Sequence, residues 1–189
     1  LLTPYEKGNK NQSTTYEECI SFYQLLAEKS DKIEMRTMGV TDSGKPLHIV
    51  IFSENNDFTF HQNKAVLLIN NGIHPGEPDG IDACVRLVHD WSTGKITIPN
   101  NVVLAIIPVY NIDGALRRSE FTRINQNGPT ASGFRGNARN LDLNRDFIKC
   151  DSKNAKSFTK LYQTWDPDIF IDTHVSDGAD YSYTMTLID

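Results

Sequence analysis

Three runs of apolar residues with no polar interruption stand out along the chain: KAVLLIN (64–70), NVVLAIIPVYN (101–111) and DIFIDTH (168–174). Strands that face solvent alternate; strands covered on both faces do not, so these three read as the inner strands of a sheet. Upstream, IEMRTMGV (33–40) and LHIVIFS (47–53) read as two strands joined by the turn residues DSGKP, a hairpin. Between the strands the apolar period changes to that of a helix. EPDGIDACVRLVHDWSTG (77–94) has Pro78 near its first turn and Gly94 past its end, the usual punctuation of a helix. SKNAKSFTKLYQTW (152–165) places Phe158, Leu161, Tyr162 and Trp165 on one face. Near the start, a T-x-x-E capping box of Thr14 and Glu17 introduces Tyr16, Cys19, Ile20, Tyr23 and Leu26 at helical spacing. Strands alternating with helices predict an α/β fold, a mostly parallel or mixed twisted sheet with helices on both faces.

A length of 189 residues suits one domain with a real core, and no linker divides it. The segment Asp113–Arg139 is polar and rich in Gly and Arg, and it is too long for an ordinary connection; such loops are usually functional. A net charge of −5 offers no basic excess for phosphates, which argues against a nucleic-acid partner. No apolar run approaches the roughly 20 residues that span a bilayer. Cys19, Cys84 and Cys150 are too few and too scattered for a disulfide framework, and the first two fall on apolar helix faces. The opening LLTPYEKGNKNQS reads as an interior or processed start, from which an extracellular or periplasmic location after removal of a signal segment is expected. YSYTMTLID closes the sequence on a strand-like pattern without a cap. Residues 1–189 are therefore expected to be the N-terminal portion of one longer domain.

In open α/β sheets, ligands bind beyond the carboxyl ends of the strands. NNGIHPGEPDG (70–80) leaves such an end, and its turn needs Pro75 and Gly76 but has no need of His74 and Glu77. His174 follows the third apolar strand. If the strands are parallel, two imidazoles and a carboxylate meet at one edge, the ligand set of catalytic zinc sites that keep a fourth position open. His48, His61 and His89 have no comparable partners. GFRGNARNLDLNRDF (133–147) gathers Arg135, Arg139 and Arg145 around Asn137, Asp142 and Asn144. A guanidinium fork beside an amide suits an anionic end group held next to a metal.

HPGE, NIDG, RGNA, LDLNR and DTH, in this order, resemble the zinc carboxypeptidase family of the pancreatic carboxypeptidases A and B, from about Lys45 onward. The resemblance implies one zinc ion on His74, Glu77 and His174. It implies Asn144 and Arg145 on the terminal carboxylate of a peptide substrate, and Arg135 on the developing oxyanion, with Arg139 close by in the same stretch. It also implies that Asp142 supports the first histidine, as carboxylates behind metal-bound imidazoles commonly do. Ile112 stands where the family has proline, and NIDG reads as structural. The expected activity is hydrolysis of the C-terminal peptide bond. A zinc deacylase or amidase acting on acyl amino acids or cell-wall peptides, and a non-catalytic binding relic, are the alternatives. The family's general-base glutamate and substrate-capping tyrosine lie downstream of the third ligand. Residues 175–189 hold Tyr181 and Tyr183 but no glutamate, so inactivity of the chain by itself is expected.

Overall fold

A computed structural model describes residues 2–59 and 63–175. His61, Tyr181, Tyr183 and the strand-like segment at the end of the sequence lie outside the described residues. In chain order the elements are α1 (Pro4–Lys7), α2 (Tyr16–Lys29), β1 (Ile33–Val40), β2 (Pro46–Ser53), β3 (Ala65–Asn70), α3 (Asp79–Ser92), β4 (Val102–Ile107), α4 (Ile112–Ala115), a 3-10 turn (Leu143–Arg145), α5 (Lys153–Trp165) and β5 (Ile169–Asp172).

The strands form one mixed sheet in the order β1-β2-β4-β3-β5. β1 and β2 are the expected hairpin, and β2 also runs antiparallel to β4. β3 lies parallel to both β4 and β5, with Asn70 level with Ile107 on one side and Asp172 on the other. Successive side chains point to opposite faces, which splits each apolar run between two cores. Val50, Phe52, Ile69, Leu104 and Ile106 pack under α2 and α3, together with Cys19, Tyr23, Val85 and Trp91. Ile49, Ile51, Leu68, Val103, Ala105 and Ile107 pack on the other face against Phe158, Leu161 and Trp165 of α5.

Four expectations need adjustment. The capping box sits one residue later: Thr15 caps α2 and Glu18 returns the bond. Thr14 is drawn away because its N–H and hydroxyl both donate to Asp82 of α3. β4 stops at Ile107, ahead of Pro108, which has no N–H for a ladder; the chain nevertheless keeps company with β3's exit, Tyr110 N donating to Asn71 O at 2.8 Å and Asn111 N to Gly72 O at 3.0 Å. β5 is not covered on both faces among the described residues: it is the sheet's edge there, and Ile169 and Ile171 are exposed. Tyr162, expected on the buried face of α5, is exposed beside Phe158 and Phe170. The long loop is ordered by its own pairing, a backbone bridge between Ser119 and Ser132.

Candidate metal centre

The turn after β3 closes with Glu77 N–H donating to His74 O at 2.9 Å, leaving Pro75 and Gly76 at its two central positions. The side chains of His74 and Glu77 are both buried. At the neighbouring strand end, Thr173 N–H donates to Asn70 O at 3.1 Å and its hydroxyl to Asn71 Oδ1 at 3.0 Å, which fixes how the chain leaves β5. α3 crosses close above: a Cβ on Gly80 would fall 2.1 Å from Thr173 Oγ1, so only glycine lets the helix start where it does. His174 is thereby delivered to His74, with ring centroids 5.1 Å apart and planes at 78°. One ligand atom from each of His74, Glu77 and His174 lies within 4.8 Å of the other two.

The donor set fits a divalent ion. Glu77 Oε1 faces His74 Nδ1 at 3.1 Å, and Oε2 accepts the N–H of Val175 at 3.0 Å. Burial raises the Glu77 pKa, but hydrogen bonds from His74, Val175 and Arg123 outweigh it and hold the carboxyl at about 2, so the group is anionic. Burial lowers the pKa of His174, favouring the neutral imidazole that a metal requires. His74 Nε2 lies 2.9 Å from Asp142 Oδ1, which leaves Nδ1 as the nitrogen turned toward Glu77. Asp142 Oδ2 accepts Arg135 Nε at 3.0 Å, and Arg135 Nη1 stands 3.8 Å from Glu77 Oε1. Arg139 points elsewhere, donating to Asp151 O at 3.2 Å, so of the two loop arginines Arg135 is the one beside the cluster.

Asp142 also caps the 3-10 turn, accepting Asn144 N–H at 3.0 Å. This sets Asn144 Nδ2 3.2 Å from His174 Nε2, while Arg145 is exposed, its Nη1 donating to Asn144 O at 3.2 Å. Two residues of NIDG tie these pieces together. Asn111, fully buried, donates from Nδ2 to Ile73 O at 3.2 Å and to Arg135 O at 2.8 Å, joining the His74 turn to the arginine loop. Asp113, also buried, accepts from Thr41, Ser43 and the N–H of Ala138. Sequence reasoning missed Arg123, whose Nη2 donates to Glu77 Oε1. It also missed Asp172, whose Oδ2 lies 3.5 Å from His174 Nδ1. Burial, reinforced by the charge of Glu77 and opposed by His74, pushes the Asp172 carboxyl up to about 7. Asp172 opens the DTH motif, where attention fell on His174; Arg123 sits in no local motif, and its signal was that a buried Glu77 must find a cationic partner.

The family model for zinc carboxypeptidases matches residues 19–180. The chain belongs to the zinc carboxypeptidase family. A search of curated proteins finds no match. Among solved structures, a metallo-carboxypeptidase from Burkholderia cenocepacia superposes with a TM-score of 0.70 at 18% identity, over 89% of this chain and 43% of that one. Carboxypeptidase A from Helicoverpa armigera gives 0.67 at 18% identity, over 87% and 46%. A metallo-carboxypeptidase from Pseudomonas aeruginosa, in complex with (2-guanidinoethylmercapto)succinic acid, gives 0.67 at 16% identity, over 88% and 41%. At such identities the likeness is one of fold, and the chain spans less than half the length of each of these three proteins. Among the described residues, no helix is long and apolar enough to cross a membrane.

Proposed function

We propose that this zinc carboxypeptidase-family chain serves hydrolysis of the C-terminal peptide bond of peptides, with His74, Glu77 and His174 holding one zinc ion. The observation that carries the reading is the meeting of three metal-competent side chains from two parallel strand ends, flanked by Arg135 and the Asn144–Arg145 turn. When bound, zinc supplies Lewis acidity, polarising the scissile carbonyl and lowering the pKa of water at its open position. Asp142 keeps the His74 ring oriented through Nε2. Arg135, anchored by that same carboxylate, serves as donor to the oxygen that gains charge, where a preorganised donor is worth roughly 3 kcal/mol. Arg145 and Asn144 hold the substrate's terminal carboxylate, placing the last peptide bond over the metal. We read residues 1–189 as the N-terminal portion of a single catalytic domain, a reading supported by the one continuous sheet and by a family match running through it.

Zinc per chain, measured by elemental analysis after loading and desalting, tests the ligand set. About one zinc in the natural chain and none in His74→Ala or His174→Ala is expected, because two ligands rarely hold a catalytic ion. Full zinc retention in both variants would remove these histidines from the site. Binding of (2-guanidinoethylmercapto)succinic acid, the ligand of the Pseudomonas aeruginosa protein, tests the carboxylate anchor. Arg145→Ala should weaken it by about tenfold or more, the loss expected for a charge-assisted pair. Equal affinity in the variant would count against that role.

A further inference from the structure

The oxygen of Glu77 that faces His74 is already taken by a cation from the protein itself. Arg123 lies 46 residues along the chain from Glu77, yet its Nη2 donates to Oε1. Glu77 is buried, its side chain 2% exposed, and the Arg123 side chain is only 10% exposed. The place for the guanidinium is built into the turn. A Cβ on Gly76 would lie 2.5 Å from Arg123 Nε and 3.1 Å from Gly133 O, so the side-chain-free position makes the room. The loop is closed at its base by reciprocal backbone bonds of Ser119 and Ser132, 3.1 and 3.2 Å. Thr122 Oγ1, next to Arg123, sits within 2.9 Å of the carbonyl oxygens of both serines.

We propose that Arg123 is a resident counter-cation of the metal site, holding Glu77 in the metal-free chain and yielding its oxygen to the ion on metal binding. The inference rests on the reading of Glu77 as a metal ligand. Oε1, the Glu77 oxygen that faces His74 Nδ1 and so the one an ion between them would engage, is the same oxygen that accepts Arg123. A guanidinium and a divalent ion also repel at such range, more strongly in a buried site. Taking a hydrogen-bonded cation from a buried carboxylate is costly even where His74 and the Val175 N–H remain, so the metal-free fold gains from Arg123 while the metal pays for its displacement. The two effects are one coupling seen from either side. Removing the arginine therefore raises metal affinity and lowers metal-free stability together, a signature that a ligand-positioning role would not give.

Zinc affinity by competition with a chromophoric chelator, alongside melting of the metal-free protein, tests this in the natural chain, Arg123→Met, Arg123→Lys, His74→Ala and Glu77→Gln. Arg123→Met is expected to bind zinc about tenfold tighter or more and to melt lower until zinc is added, within the usual range of such couplings; Arg123→Lys should fall between. Unchanged or weaker zinc binding in Arg123→Met, with one zinc on the natural chain, overturns the proposal and leaves Glu77 as a ligand. Zinc retained at full affinity by both His74→Ala and Glu77→Gln, or no zinc on the natural chain, overturns the ligand reading and the proposal with it. If Arg123→Met does not fold, 15N spectra of the natural chain decide. The Arg123 guanidinium signal, assigned by its loss in Arg123→Lys, should be protected from solvent exchange without metal and released at saturating zinc. A signal unmoved by zinc overturns the proposal.

Discussion

Asp142 holds three partners on two oxygens: Oδ1 takes His74 Nε2 and the N–H of Asn144, and Oδ2 takes Arg135. Burial raises its pKa, but these bonds outweigh it and keep the carboxyl below its usual range, so it stays an acceptor for all three. Asp142→Asn should lower zinc affinity by about 10–100-fold, the usual cost of losing the carboxylate behind a metal-bound imidazole, as read by chelator competition. An unchanged affinity would mean that His74 is oriented by its turn alone. At this scale the sequence was legible where the chemistry was in excess of local need. A turn accounts for Pro75 and Gly76 and not for His74 and Glu77. Arg123 was illegible because FTRIN carries no pattern: its meaning lies in a contact 46 residues away.

Among the elements, the passage from the 3-10 turn into α5 is held by one buried acid. Asp146 accepts the N–H groups of Asp151 and Ser152 at 2.8 and 2.9 Å and the Ser152 hydroxyl, while Ser152 in turn caps α5 through Ala155 N–H. Burial raises the Asp146 pKa, but those hydrogen bonds and Arg139 prevail and hold it below the usual carboxylate range. The linkage follows: the unfolded chain takes up the proton first on acidification, so this stability is complete above the ordinary carboxylate pKa and drains away as pH falls through the folded value. Asp146→Asn should cost about 1–3 kcal/mol at neutral pH in urea unfolding. The gap between the two proteins should narrow below about pH 4, the ordinary carboxylate range; a gap independent of pH would mean that packing, not charge, carries the effect. Helix and strand identities were readable from period and punctuation, whereas the capping register was not. TTYEE offers two equal boxes, and only the capture of Thr14 by Asp82 selects the second.

The whole molecule is a mixed sheet between two cores, and its candidate metal centre sits where β3 and β5 end side by side. Because the ligands come from separate strand ends, an ion there binds the folded state and not the unfolded one. Free zinc at about a hundred times its dissociation constant should add roughly 2.7 kcal/mol, or about 5–10 °C in melting temperature for a chain of this size. Differential scanning with zinc and then a chelator measures it; a melting temperature indifferent to both would argue that no folded-state site exists.

By itself, the sequence determined the α/β class, the approximate places of the five strands and three long helices, the family through its ordered motifs, and the residues with chemistry to spare. Periodicity and turn chemistry are local, and local properties are written in neighbouring residues. Strand order, the antiparallel pairing of β2 with β4, the exposed course of β5 and the turning of Arg139 away from the cluster were decided only in three dimensions. So were Arg123 on Glu77 and Asn111 bridging Ile73 and Arg135. Each depends on which buried polar group lacks a partner once the chain has closed, and no stretch of sequence contains both halves of that contact.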